Sequence, residues 1–275
     1  MTKKYSIIGK PLSHSLSPIL HNYWFKKYKI DAEYTSLEVN ENNIKSVIEL
    51  IKEKKLNGIN ITLPYKQKII PYLDNIVNDA KESHSVNTVY LSSENKTIGE
   101  NTDVFGLQAG YLKEIINNKN RKQKTLIIGA GGVAPSIILS LQKSQINDIT
   151  LTNRTIEKAR LLKRKFTNID IIEWDLHLDK IQDFDIIINA TSLGMKNSQD
   201  FDFFYENIKP ELIYIDTIYN PSQTKMIKHF KKKNIKTFNG LDMFIYQGQK
   251  SFYIWNKINP EIDENLINLL KKNIK

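Results

Sequence analysis

Six residues, Gly129-Ala130-Gly131-Gly132-Val133-Ala134, fit the spacing G-x-G-x-x-[G/A] directly after an apolar strand-like run, 125–128, and at the head of a helix-like segment. In that setting the motif marks a dinucleotide-binding turn, with Gly129, Ala130, Gly131, Gly132 and Val133 as its contacts. Glycine permits the tight turn and the close backbone approach. The free N–H groups and positive dipole end of the following helix receive the pyrophosphate. At the end of the next strand, about 20 residues on, an NAD-binding chain carries Asp or Glu for the ribose hydroxyls. Here Asn153-Arg154-Thr155 stands in that place. A guanidinium suits a 2′-phosphate bidentately, and Lys158 one turn further adds charge, so the expected cofactor is NADP. The plainer alternative has Asn153 capping the helix and Arg154 solvated.

A second candidate is Gly9-Lys10-Pro11-Leu12-Ser13-His14-Ser15-Leu16-Ser17-Pro18-Ile19-Leu20-His21-Asn22. The hydroxyls of Ser15 and Ser17 stand one residue apart at a helix start, a place that suits a substrate carboxylate. Read alone, the string also fits Ser17 as an N-cap with Pro18 at the first helical position. Cysteine is absent, which excludes a thiol nucleophile, a zinc–thiolate site and a disulfide framework. The five histidines show no i, i+4 pair, so no metal is expected. The net charge of +10 points to nucleic acid or to small anionic ligands. The basic clusters are scattered, among them Arg121-Lys122, 163–165 and 231–233, and form no stripe interleaved with stacking aromatics, so a small anion is the expected partner. The N-terminus lacks the apolar core of a signal peptide. The longest apolar stretch, 125–141, contains three glycines and Pro135 and falls short of the roughly 20 residues that span a bilayer. A cytoplasmic protein without a membrane partner is expected, as monomer or homodimer.

These groups need elements to hold them. Strand-like runs at 5–8, 33–39 and 58–62 alternate with helix-like runs at 19–28 and 41–54. Short helices are expected at 64–73 and 75–83, and a hairpin pairs 86–91 with 96–99. A long helix over 102–116 carries Phe105, Tyr111, Leu112 and Ile115 near one face. After the polar run 117–124, strands at 125–128, 148–152, 169–172, 186–189, 213–216 and 237–238 alternate with helices at 131–143, 156–166 and 226–233. That rhythm means a doubly wound parallel sheet. Helix-like 243–256 and 261–273 return to the first half. The 275 residues, at about 150 per domain, suit two α/β domains. They are expected at 1–108, with 241–275 packing back on it, and at 109–240, the Rossmann domain.

The Ser15–Ser17 string resembles the opening signature of the shikimate dehydrogenase family, and further matches follow in that family's order. They are Gly58-Ile59-Asn60-Ile61-Thr62-Leu63-Pro64-Tyr65-Lys66, Val86-Asn87-Thr88, Gly99-Glu100-Asn101-Thr102-Asp103, Asn189-Ala190-Thr191-Ser192-Leu193-Gly194-Met195, Asp216-Thr217-Ile218-Tyr219-Asn220-Pro221 and Gly240-Leu241-Asp242-Met243 with Gln247. The resemblance implies an enzyme of aromatic amino acid biosynthesis that reduces 3-dehydroshikimate to shikimate with NADPH. Its first domain would bind substrate and its second the cofactor. It also implies roles. Ser15 and Ser17, helped by Tyr219, would hold the ring carboxylate. Thr62, Lys66, Asn87, Asp103 and Gln247 would hold the ring hydroxyls and the reacting carbonyl. Thr217 and Gly240 would join the glycine loop, Asn153, Arg154, Thr155 and Lys158 at the cofactor. Hydride arriving at a carbonyl carbon leaves negative charge on oxygen, which a donor must stabilise and protonate. An ammonium such as Lys66 does both, with Asp103 to orient it. One departure stands out: Ser83-His84-Ser85 occupies the place where the family usually has Ile-Gly-Ala. The rival readings are a quinate/shikimate dehydrogenase of the same superfamily, perhaps using NAD, and a non-catalytic ligand sensor on the same fold.

Overall fold

The computed structural model describes residues 2–117 and 123–274. Most of the polar run 117–124, with Arg121 and Lys122, therefore lies outside the described residues. The chain divides into two compact units.

The first unit comprises Met1–Gly106 and Ile245–Asn273. Its strands are β1 (Lys3–Gly9), β2 (Ala32–Glu38), β3 (Gly58–Ile61), β4 (Asn75–Ile76), β5 (Thr88–Leu91) and β6 (Thr97–Glu100). They form one mixed sheet in the order β2-β1-β3-β5-β6-β4. β1 pairs parallel with both neighbours, while β5 pairs antiparallel with β3 and β6, so the expected hairpin is present. Every residue of β3 is buried, including the polar Asn60, whose side chain is hydrogen-bonded there. The helices in this stretch are α1 (Ser17–Lys27), α2 (Ile44–Lys52), α3 (Asn78–Ser83) and the start of α4 (Asp103–Leu107). α2 buries Ile44, Val47, Ile48 and Ile51, one face at helical spacing, in a core shared with Ile8, Ile59, Ile61 and Val89.

α1 buries Leu20, His21, Trp24 and Phe25. The C-terminal segments return to it as expected: the Trp24 indole donates to the Glu261 carbonyl at 3.0 Å and the Tyr23 hydroxyl to Asp263 at 2.8 Å.

The second unit holds Leu107–Phe244. It opens with a π-helical turn, Gln108–Leu112, and α5 (Lys113–Asn117). β7 (Lys124–Ile128), β8 (Asp148–Thr152), β9 (Asp170–Ile171), β10 (Ile186–Asn189), β11 (Ile213–Asp216) and β12 (Lys236–Phe238) then alternate with α6 (Ala134–Lys143), α7 (Ile156–Lys165) and α8 (Lys225–Lys232). The order is β12-β11-β10-β7-β8-β9 with every pairing parallel, the doubly wound Rossmann arrangement. The strand order reverses between β7 and β10. Ligands bind outside the carboxyl ends of strands at such a switch point, and Gly129 and Ala190 begin there. α9 (Leu241–Asn256) and α10 (Glu264–Asn273) close the chain.

Four local expectations are corrected. Residues 64–73 form successive turns and one 3₁₀ turn, Ile70–Tyr72, because Pro64 and Pro71 supply no N–H to a helical ladder. Asn75–Ile76 is a strand, pairing parallel with β6, not the head of a helix. α6 begins at Ala134, so the whole glycine motif stays in the loop. Ser17 is the first helical residue, and its side chain makes no capping hydrogen bond. At the Ser83-His84-Ser85 departure, His84 ends α3 in the left-handed conformation with φ of 51°. The two buried serines are held by Asn101, which donates to Ser83 Oγ at 3.0 Å and to the Ser85 carbonyl at 2.8 Å.

His21 is fully buried and stacked on Tyr34, with ring centroids 4.4 Å apart, and neither ring nitrogen has a hydrogen-bond partner among the described residues. Burial lowers its pKa to about 3. The unfolded chain, with a histidine near 6.5, therefore binds the proton first, and stability falls as pH drops below 6.5. By pH 5 the loss is about 2 kcal/mol. Urea unfolding at pH 7.5 and pH 5 measures it, and the difference shrinks by that amount in His21→Met. An unchanged difference would show that His21 is protonated in place.

Candidate active site

Lys66 lies in the turn after β3. Its carbonyl accepts from the Val86 N–H at 2.8 Å, while the Thr62 N–H donates to the Ile8 carbonyl at 2.9 Å. The turn is thereby tied to both β1 and the start of β5. Asp103 opens α4. The Asn101 side-chain oxygen accepts from the N–H groups of Asp103 (3.0 Å) and Val104 (3.4 Å), satisfying free donors at that helix start.

The two side chains meet. Lys66 Nζ donates to Asp103 Oδ2 at 2.6 Å, with both residues buried. Asn87 Nδ2 donates to the other carboxylate oxygen, Oδ1, at 3.0 Å, and reaches Gln247 Oε1 at 3.3 Å. The Thr102 N–H donates to Asn87 Oδ1 at 2.7 Å. That backbone N–H can only donate and the carboxylate can only accept, so the Asn87 amide has one possible orientation. Four of the expected residues, Lys66, Asn87, Asp103 and Gln247, thus form one hydrogen-bonded group. A buried ammonium with a fixed carboxylate beside it can protonate an oxygen that gains charge.

Ser15 and Ser17 form their own pair, with Ser15 Oγ accepting from the Ser17 N–H at 3.3 Å. Ser17 is buried and Ser15 half-buried. Their loop is held by the Glu38 carboxylate, which accepts from the Leu12 N–H at 2.7 Å. Thr62 is half-buried beside Gly9. Tyr219 belongs to the second unit, where its ring packs on Phe244 with centroids 4.7 Å apart.

In the second unit, Gly129 adopts φ of +109° and its N–H donates to the Thr152 carbonyl at 2.8 Å. The Asn153 side chain does not cap α7. Its Oδ1 accepts from the Ala130 N–H at 2.9 Å and its Nδ2 donates to the Thr155 carbonyl at 2.7 Å, so it braces the glycine loop against the end of β8. α6 has no side-chain cap; its first N–H groups fold back on the loop, Ala134 to the Gly131 carbonyl at 3.2 Å and Ser136 to the Val133 carbonyl at 3.0 Å, so an anion there would be met by the glycine loop and the positive end of the helix dipole. Arg154, Thr155 and Lys158 are exposed, and among the described residues Arg154 and Lys158 make no ion pair. Thr217 Oγ1 donates to the Asn189 carbonyl at 2.8 Å, and the Gly240 N–H to the Ile218 carbonyl at 2.9 Å.

At the end of β11, Asp216 is fully buried. It accepts from the Ile218 N–H, Thr224 Oγ1, Asn189 Nδ2 and the Tyr214 hydroxyl at 2.8 to 3.2 Å. Burial nevertheless pushes its pKa up to about 6. Asn60, Asn101 and Ser251 hold the catalytic group together but received no role from the sequence. The only signal for Ser251 was its i+4 spacing from Gln247 on one helix face.

A family model described as the shikimate dehydrogenase substrate binding domain matches residues 7–89. A second, shikimate / quinate 5-dehydrogenase, matches residues 111–201. The chain is 48% identical to the shikimate dehydrogenase (NADP(+)) of Pelagibacter ubique, over 98% of this chain and 99% of that one. It is 41% identical to the protein of the same name from Methanococcus aeolicus, over 95% of each. Among solved structures, a shikimate dehydrogenase in complex with NADP+ superposes with a TM-score of 0.90 at 36% identity, covering 100% of this chain and 96% of that one. A shikimate 5-dehydrogenase from Listeria monocytogenes, in complex with shikimate and NAD, gives 0.86 at 29%, covering 98% and 96%.

Two glycines of the loop differ in what they serve. A Cβ on Gly129 would stand 2.6 Å from the Thr191 methyl, at a φ that only glycine adopts freely, whereas one on Gly131 would meet nothing closer than 3.9 Å. Gly129→Ala therefore destabilises the fold by more than about 1 kcal/mol. Gly131→Ala keeps the melting temperature and loses dinucleotide affinity. Equal melting temperatures for the two variants would remove the distinction.

Proposed function

Because the chain belongs to the shikimate dehydrogenase family, we infer that it reduces 3-dehydroshikimate to shikimate with NADPH, reversibly, and that Lys66 and Asp103 carry the proton transfer. The observation that carries this reading is the buried 2.6 Å contact between the two side chains, with Asn87 fixing the far carboxylate oxygen. We assign substrate binding to residues 1–108 with 241–275, and cofactor binding to 109–240. The reaction belongs in the cytoplasm.

NADPH, when bound, supplies a hydride to the carbonyl carbon. The oxygen that gains the electron pair needs a proton, and the Lys66 ammonium gives one, becoming a neutral amine that solvent reprotonates. In the reverse direction the amine takes the hydroxyl proton. Asp103 holds Lys66 in place and accepts from a neighbouring ring hydroxyl. Asn87 and Gln247 present donors and acceptors to the remaining hydroxyls, and Thr62 adds one more hydroxyl. Ser15 and Ser17, with Tyr219, grip the ring carboxylate. With its side chain free of any capping bond, Ser17 is available for that contact.

For the cofactor, Gly129 to Val133 and the positive dipole end of α6 suit the pyrophosphate. Asn153 braces that loop, and Thr155, Thr217 and Gly240 complete the surround. Arg154, exposed and free of an ion pair among the described residues, suits the 2′-phosphate with Lys158 beside it.

Lys66→Gln keeps a donor beside Asp103 but removes the transferable proton. It lowers kcat by about 10² to 10⁴ and leaves NADP affinity intact. Wild-type turnover would end the assignment. Arg154→Ala weakens NADP about ten- to a hundredfold, the worth of a charge-assisted contact, while NAD binding stays nearly constant. Titration of both cofactors decides it, since equal losses would place Arg154 elsewhere.

A further inference from the structure

Four buried polar side chains, Asn60, Thr88, Thr102 and Ser251, surround the carboxamide of Asn87, and none is more than 5% exposed. Their hydrogen bonds have a direction. Asn60 Nδ2 lies 3.1 Å from the Asn87 carbonyl, which only accepts, so the nitrogen of Asn60 must face inward. That nitrogen also reaches Ser251 Oγ and Thr88 Oγ1, each at 3.0 Å. Ser251 Oγ stands 2.8 Å from Thr88 Oγ1 and 3.1 Å from Thr102 Oγ1. Both threonine hydroxyls are 3.1 Å from Asn87 Oδ1, again an acceptor only. A hydroxyl has one proton to give, and the shortest of the Ser251 contacts, 2.8 Å to Thr88 Oγ1, sets one continuous chain of donors, from Asn60 through Ser251 and Thr88 to Asn87 Oδ1. Such a chain polarises each bond along it.

Ser251 is the junction. It is the one member on α9, and its hydroxyl also lies 3.0 Å from the Gln247 carbonyl one turn earlier. We propose that Ser251 is a positioning residue for the reaction. Its hydroxyl, given to Thr88, keeps that threonine turned as a donor onto Asn87 Oδ1, so that Asn87 Nδ2 stays aimed at Asp103 and at a substrate hydroxyl. Without it, the Thr88 hydroxyl loses a donor and is free to turn away, and the carboxamide loses one of the bonds that fix its plane. The role rests on the assignment of Asn87 to the substrate.

The test is a double-mutant cycle in the full-length enzyme. Ser251→Ala lowers kcat/KM for shikimate about three- to tenfold, the scale of one neutral hydrogen bond, and leaves the dissociation constant of NADP unchanged. In an Asn87→Ala background the same substitution has no further effect, because the group it positions is gone. A loss that persists in full in that background, or no loss in the single variant, overturns the proposal. Wild-type kcat/KM in Asn87→Ala alone would instead overturn the assignment of Asn87, and the proposal with it. Should Asn87→Ala not fold, shikimate analogues lacking one ring hydroxyl at a time replace it. The Ser251→Ala loss must then vanish for one of them, and a uniform loss across all would mark a general structural role.

Discussion

An ammonium and a carboxylate held 2.6 Å apart inside a protein set conditions on everything around them. Each charge has left water at a cost of several kcal/mol, which their attraction offsets only when the remaining donors and acceptors are also satisfied. In this chain the turn after β3, the start of β5 and the head of α4 supply those partners. Asn87 takes the free carboxylate oxygen, the Val86 N–H pins the lysine backbone, and Asn101 closes the helix start that carries Asp103. Removing either charge would leave the other buried and alone, which typically costs about 3 to 5 kcal/mol. The pair therefore binds the catalytic group to the stability of the sheet around it.

The second unit solves a different problem. A dianionic cofactor phosphate needs a positive surface that does not collapse when empty. The glycine loop and the dipole of α6 provide one without a buried lysine, because their polarity is part of the backbone. The exposed Arg154 and Lys158 stay hydrated until a ligand arrives. One site thus keeps its charges buried and paired, the other keeps them exposed.

Much of this was legible in the chain before the coordinates. β8, β10 and β11 begin and end where the apolar pattern places them, since the buried positions of a central strand are mostly filled by Ile, Leu and Tyr. The stretch 64–76 was not legible. Its shape depends on hydrogen bonds between Thr62, Tyr65 and Ile69 and on pairing with β6, neither of which leaves a periodic trace. Motif residues such as Lys66 and Asp103 stood out, whereas Asn60, Ser251 and Asn101 act through neighbours distant in sequence. At Asn153 the sequence allows helix cap or cofactor contact; the side chain braces the glycine loop and does not cap the helix. His84 sits where backbone conformation, rather than side-chain chemistry, sets the requirement, and a single sequence carries no sign of that.

Asp216 carries a consequence for stability. Its carboxyl, with a pKa raised to about 6, is neutral and comfortable in acid and becomes a buried anion as pH rises past that value. Its contribution to stability is thus complete below the ordinary carboxylate range and is withdrawn across the interval up to neutrality. The donors around it, the Ile218 amide, the Thr224 hydroxyl, the Asn189 amide and the Tyr214 hydroxyl, all favour the anion and offset part of what burial withdraws. Ionisation therefore tightens the clasp between the end of β11 and the head of α8 while it weakens the second unit as a whole, and local order and global stability run in opposite directions as pH rises.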